Sequence, residues 1–188
     1  MVRFKHRYLL VELLFPNLMQ FNDDDDHDDN IDKQATLNDN NDDKALAFLN
    51  ESVLMQTLRD SLLINFGERG AGEVGGAFSI KYFSLQTHTV IIRVSRQHFR
   101  TLWSSLTLLR KLAGQPVIAT VVHVGGSIKK TQHAAIAHDR VKILQHANKI
   151  NSKRPRTDST TVTEQQVDQE TINARLLASE TSLLAMQA

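Results

Sequence analysis

Cysteine is absent from the 188 residues, which excludes a disulfide framework and any thiolate ligand or nucleophile, and fits a reducing compartment. No apolar run approaches the ~20 residues needed to cross a bilayer, so a soluble protein is expected. The opening "MVRFKHRYLLVELLFP" has the basic start and apolar run of a secretory signal, but Glu12 interrupts the run and no small-residue cleavage site follows. Catalytic signatures are missing too. There is no Walker or GxGxxG spacing, no nucleophile elbow and no HExxH pattern. His138, Asp139 and Arg140 are consecutive on a predicted helix and so point three ways, which is no pre-formed triad. With three prolines and 41% hydrophobic content, the chain can bury one modest core and would struggle to build two.

Acidic residues are nearly absent from the middle of the chain. The formal net charge of +1 conceals a strong segregation: residues 1–20 carry +3 and −1, residues 21–43 carry +1 and −10, and residues 44–76 carry +3 and −4. Residues 77–156 hold fourteen Lys/Arg against the single acid Asp139, and the remainder carries +1 and −5. A polycation within a globular domain points to phosphate.

"FNDDDDHDDNIDKQATLNDNNDDK" has too few apolar residues to offset its ordering entropy and is expected to be a disordered acidic insertion at about 17–45. It lacks the Gly and terminal Glu of an EF-hand loop, so a solvated linker is preferred over a metal site. In "NESVLMQTLRDSLLINFG", Leu54, Leu58, Leu62 and Phe66 recur at helical spacing, with Asn50 or Ser52 as cap and Gly67 as stop. "GERGAGEVGG" then reads as a connector. Two strands are predicted at about 77–84 and 87–95. A second helix follows, with Ser95 as cap, a stripe of Phe99, Leu102, Trp103, Leu106 and Leu109, and Gly114 at its end. Trp103 is assigned to the core. Pro116 opens a strand "VIATVVHV", and Ser127 caps a helix from Ile128 to about Ile150.

With the opening run as strand one, the order is β-α-β-β-α-β plus a helix. This is an α+β class chain: a ferredoxin-like (split βαβ) α/β sandwich with RNA-recognition-motif-like topology and an added C-terminal helix, its helices covering one face of an antiparallel sheet. Residues 1–150 form one domain around the insertion, and 151–188 are a largely disordered tail, since "VDQETINARLLASETSLLAMQA" has weak apolar spacing.

Along strand one, alternation places Arg3, Lys5 and Arg7 on one face at about 6.5 Å per step, with Val2, Phe4, Tyr8 and Leu10 docking the other. Such a row suits a polyanion backbone, unless it is an edge strand guarded by charge. At "HVGGSIKKTQ", Gly125 and Gly126 permit close backbone approach, the free N–H groups near Ser127 favour an anion, and Lys129 and Lys130 add mobile charge. An ordinary strand-to-helix turn with solvated lysines is the alternative. Lys81, Arg93 and Arg96 of the basic middle are further candidates for RNA contact. The third strand, "THTVIIRV", lacks the aromatic RNP1 pattern, so recognition through cations and shape is expected rather than base stacking on the sheet.

Together, "MVRFKHRYLLVEL", "IKYFSLQTHTVIIRVSRQHFRTLWSSL" and "HVGGSIKKTQ" closely resemble the small protein subunit of eukaryotic and archaeal ribonuclease P and ribonuclease MRP, the Pop-five type, over residues 1–15 and about 50–145. The resemblance implies a non-catalytic accessory subunit that braces the catalytic RNA of an endoribonuclease removing 5′ leaders from precursor tRNA, with rRNA processing if it serves MRP. The implied partners are that RNA, a TIM-barrel protein subunit and a small paralogous subunit, with precursor tRNA met indirectly. It further implies Mg2+ in the holoenzyme RNA with no cofactor held by the protein alone, and a location in the nucleus and nucleolus. "KINSKRPR" would serve as an import patch or as a basic linker. Carried onto this chain, Arg3, Lys5, His6 and Arg7 become candidates for RNA contact. At Gly125, Gly126, Ser127 and Lys129, RNA contact and simple turn geometry both stand. The competing expectation is a protein-interaction module whose basic surface only tunes solubility or encounter rates.

Overall fold

The computed structural model describes residues 5–16, 49–153 and 162–186, without the side chains of 146–153 and 162–169. Arg3, Val2, Phe4 and the acidic insertion lie outside the described residues. The elements are β1 (His6–Leu14), α1 (Glu51–Gly75), β2 (Phe78–Ser84), β3 (Thr89–Ser95), α2 (Phe99–Leu108), the short pair β4 (Lys111–Leu112) and β5 (Gln115–Pro116), β6 (Ile118–Gly125), α3 (Ile128–Lys153) and α4 (Val162–Ala185).

β1 is an interior strand. The sheet order is β2-β3-β1-β6, with β1 antiparallel to both neighbours, which is the split βαβ arrangement expected. An edge-guarding role for the β1 cations is thereby excluded. Its residues are buried on both faces: Leu9, Val11 and Leu13 enter the main core, while Leu10 enters a second cluster with Ile91, Ala135 and Leu183. The two true edges, β2 and β6, each carry a bulge. Lys81 is the extra residue in β2 against β3, and Val122 is the extra residue in β6 against β1. Bulges of this kind twist an edge away from further pairing.

α1 and α2 cover the main-core face. Asn50 caps α1 by accepting from the Val53 N–H at 2.9 Å, and Leu54, Leu58 and Leu62 are fully buried, each contributing roughly 1.5–3 kcal/mol. Where α1 crosses α2 the contact is made by small residues, Ser105 Oγ donating to Ser61 Oγ at 2.9 Å within the core. Gly67 does break the helix, with φ 64° and ψ −169°, but the chain resumes helical structure through Gly75 instead of forming a connector. The resumption is permitted by a close approach: a Cβ on Gly70 would fall 2.3 Å from Phe66 Cβ.

The second helix also differs from expectation. Ser95 caps nothing in α2; its Oγ accepts the Gln97 N–H at 3.4 Å in the preceding turn. Trp103 is 40% exposed, because the buried stripe of α2 runs through Leu102, Ser105 and Leu106. Gly114 does not end the helix. It forms with Ala113 the two-residue turn of the β4–β5 hairpin, both at positive φ (50° and 86°), as primed hairpin turns require. Pro116 belongs to that hairpin.

Helices lie on both faces of the sheet, not one. α3 and α4 contribute Ala135 and Leu183 to the second cluster, with Tyr8, Tyr82, Ile136 and Met186 packed around it. The stretch expected to be a largely disordered tail is helical over Val162–Ala185. Its stripe was inconspicuous because one leucine and several hydrogen bonds, not a continuous apolar face, make the contact.

Two of the four glycines of α1, Gly67 and Gly72, provide a paired check. Gly67→Ala is expected to lower stability by about 1–3 kcal/mol, since its φ/ψ is almost exclusive to glycine. Gly72→Ala, where an added Cβ meets nothing within 4 Å, is expected to raise it by about 0.4–1 kcal/mol. Urea unfolding of both variants measures the contrast.

Candidate nucleic-acid interface

β1 begins where β3 and β6 end, so three distant stretches of sequence share one end of the sheet. Tyr8 is paired with Arg93 on one side and Gly125 on the other. The Arg96 N–H donates to the Lys5 carbonyl at 2.9 Å, and Arg93 Nη2 lies 2.5 Å from His6 Nε2. Lys5, His6, Arg93 and Arg96 thereby line one open cleft of about 900 Å³, together with Ser79, Gln97 and His98. A single acid lines it: Glu73, whose carboxylate pairs with Arg69 at 3.0 Å and lies 3.7 Å from His98 Nδ1.

The second group of candidates adjoins the first through Arg7. A Cβ on Gly126 would stand 3.2 Å from Arg7 Nη1, which puts the guanidinium over the glycine pair. The need for glycine differs at the two positions. A Cβ on Gly125 would be 2.2 Å from Thr131 Oγ1, so this glycine exists for the packing of β6 on α3. Ser127 occupies the cap position of α3 through its backbone, its carbonyl accepting the Thr131 N–H at 3.3 Å and Thr131 Oγ1 at 3.2 Å. Gly126, Ser127, Lys129 and Lys130 are exposed around that first turn, where orphan N–H groups and the helix dipole favour an anion.

Lys81 stands apart. It is exposed in the β2 bulge and is not among the residues lining the cleft. His98 is the residue the sequence reading missed. The signal was available in "SRQHF", because a strand that ends beside Lys5 delivers its next few residues to the same cleft.

Two other acids close to the sheet, Glu12 and Asp139, are turned inward. Glu12 accepts from His138 Nε2 at 3.1 Å and Lys142 Nζ at 2.5 Å, between β1 and α3. Asp139 is 1% exposed, accepts from Ser179 Oγ at 2.8 Å, and keeps Oδ1 without a hydrogen-bond partner. Burial holds its carboxyl above the ordinary aspartate value, while the Ser179 hydrogen bond and the charges of His138 and Lys142 pull the other way. The grouping of Ser179, Asp139 and His138 is wrong for nucleophilic catalysis. The serine donates to the carboxylate, and His138 Nδ1 sits 3.8 Å from that same carboxyl, so no base faces the hydroxyl. Among the described residues no group of three or more His, Asp or Glu converges on a metal-sized site, and no helix is long and apolar enough to cross a membrane.

Fold and surface together define a small α+β protein of ferredoxin-like topology with a cationic end. Residues 7–136 match the Rpp14/Pop5 family, and the chain belongs to that family. The ribonuclease P/MRP protein subunit POP5 of Schizosaccharomyces pombe is 41% identical over 143 residues, covering 76% of this chain and 91% of that protein. Its counterpart in Saccharomyces cerevisiae is 31% identical over 148 residues, 77% of this chain and 80% of that protein. A chain in the cryo-EM structure of yeast ribonuclease MRP aligns at 18% identity over 68% of this chain and 79% of that one, with a TM-score of 0.44.

Two outcomes are expected here. Gly125→Ala destabilises the protein, and adding Thr131→Ala, which removes the clashing hydroxyl, recovers part of the loss in thermal unfolding. The second concerns pH. A carboxyl whose folded pKa is raised contributes stability that is complete below the unfolded value of about 3.9 and is lost as pH rises through the folded value. Asp139→Asn removes that loss. Its stability relative to the parent is therefore expected to increase from acid to neutral pH, as read by urea unfolding across that range.

Proposed function

We propose that this chain is a protein subunit of the ribonuclease P and/or ribonuclease MRP ribonucleoprotein. It binds and stabilises the catalytic RNA and performs no bond-breaking itself. The observation that carries this is the convergence of Lys5, His6, Arg7, Arg93, Arg96, Lys129 and Lys130 on one end of the sheet, where Glu73 is the single acid lining the cleft and is itself paired with Arg69 and close to His98. A rigid array of cations with only one acid among them suits crowded phosphates. The names of the relatives, each a ribonuclease P/MRP protein subunit, support the same reading.

In this reading the RNA removes the 5′ leader from precursor tRNA, using magnesium held by RNA. Arg3, outside the described residues, is a further proposed RNA contact. A TIM-barrel subunit and a small paralogous subunit are the proposed protein neighbours, and nucleus and nucleolus the proposed location.

A second reading has a specific observation behind it. Leu63 and Ile64 of α1 and Trp103 and Leu108 of α2 are exposed apolar residues on the two helices that cover the main core, as a protein-assembly surface would be. The two readings separate by salt dependence. Replacing Arg3, Lys5 and Arg7 together with alanine is expected to flatten the dependence of log affinity for the RNA on log salt by up to ~3. An unchanged slope, with cleavage activity and subunit assembly intact, would leave only the assembly role.

A further inference from the structure

The helix α4 lies over the second face of the sheet, yet its attachments are mostly polar. Of its described residues only Leu183 is fully buried, while Leu177 and Leu184 stay 61% and 52% exposed. Ile172, Leu176 and Met186 are only partly buried, and the remaining contacts include hydrogen bonds: Ser179 Oγ to Asp139 Oδ2 at 2.8 Å, Gln132 Nε2 to the Leu183 carbonyl at 2.9 Å, and Tyr82 with Ser182 at 2.9 Å between hydroxyls. Water replaces each of these once the helix lifts, so the net contribution of each to holding it down is modest. The Asp139 latch also holds a carboxyl in a buried place with one oxygen unpartnered. An element with few buried apolar contacts opens well below the free energy of global unfolding.

What α4 covers is not ordinary core. Tyr8 and Tyr82 border the buried Leu10 and Ile91. Tyr8 is paired across the sheet with Arg93. His6, two residues earlier and therefore on the same face as Tyr8, touches Arg93. From there the surface runs into the cleft of Lys5 and Arg96. Rings beside cations on an antiparallel sheet form a surface on which single-stranded nucleic acid lies, with bases on the rings and phosphates at the cations. A peptide has less to bind. β1 and β3 are interior strands with no free backbone edge for strand addition, the β2 edge is interrupted by its bulge at Lys81, and the rim carries Lys5, His6 and Arg93.

We infer that α4 is a detachable cover, and that a single-stranded RNA segment takes its place on the face bearing Tyr8 and Tyr82 when it lifts. The inference rests on the RNA-binding reading above and adds to it a second, gated surface distinct from the α3 amino terminus. It also revises the expectation that the sheet has no stacking platform. The rings sit on β1 and β2, where the third-strand pattern does not look for them.

The chain has no cysteine, so the double variant Asp139→Cys/Ser179→Cys gives a clean lock: closed when oxidised, released when reduced. Full-length protein in both states is titrated with a fluorescent ten-nucleotide oligouridylate, and Leu183→Asp, which opens α4 without a disulfide, is titrated alongside. Hydrogen exchange over 170–186 verifies that α4 is open. The reduced form and Leu183→Asp are expected to bind at least ~10-fold more tightly than the oxidised form, and Tyr8→Ala with Tyr82→Ala to remove ~10-fold or more of that gain. Equal affinity in all three states overturns the cover. So does a gain that survives loss of both tyrosines. If the oligonucleotide fails to bind while the structured RNA binds with its salt slope intact, the gated surface is lost and the proposed function stands. Loss of both overturns the two together.

Discussion

The structure depends on the double pairing of β1. Its register is fixed on two sides, by β3 and by β6, and its two faces bury different chemistry. Leu9, Val11 and Leu13 join the apolar core under α1 and α2, while Leu10 and Glu12 meet α3 and α4. A slip by one residue would exchange these sets, moving a carboxylate into the leucine core and leucines onto His138 and Lys142. Because that exchange is so unfavourable, the positions of Lys5, His6 and Arg7 relative to Arg93, Gly125 and Gly126 are as firmly set as the core itself.

Charge is arranged on the same plan. Glu12 and Asp139 are drawn into the interface between β1, α3 and α4, while at the rim Glu73 is the single acid among the cations of the cleft. Burial of Asp139 disfavours its ionised form, and the Ser179 hydroxyl offsets this only in part. A contact of that kind says more about which arrangement the helices adopt than about how strongly they hold it. The sheet consequently has one tightly covered face, where leucines interdigitate, and one lightly covered face, where hydroxyls, an amide and a carboxylate meet.

Much of this was legible in the sequence, because the strongest signals there are periodic. Leu54, Leu58 and Leu62 at fixed helical spacing, and the β-branched run of β3, gave the order of elements and with it the topology. Family likeness named Arg7 and the Gly125–Gly126 turn as separate candidates, and it takes the antiparallel pairing of β1 and β6 to bring the two into contact. The misreadings share a cause. α4, the helical segment after Gly67 and the exposed Trp103 are all decided by particular tertiary contacts: a lone leucine with three hydrogen bonds, a glycine against Phe66 Cβ, and a serine crossing that turns the indole outward. None of these leaves a repeating trace along the chain.

Phe15 and Leu49, which flank the acidic stretch, are both buried in the same core. The two ends are therefore anchored in one core, and for any flexible connection between fixed ends the closure entropy grows only with the logarithm of its length, each doubling costing about 0.6 kcal/mol. A long, highly charged segment can be carried at this junction at little thermodynamic expense, without disturbing the strand before it or the helix after it. Length at this position is thus a nearly free variable of the fold, open to lineage-specific elaboration.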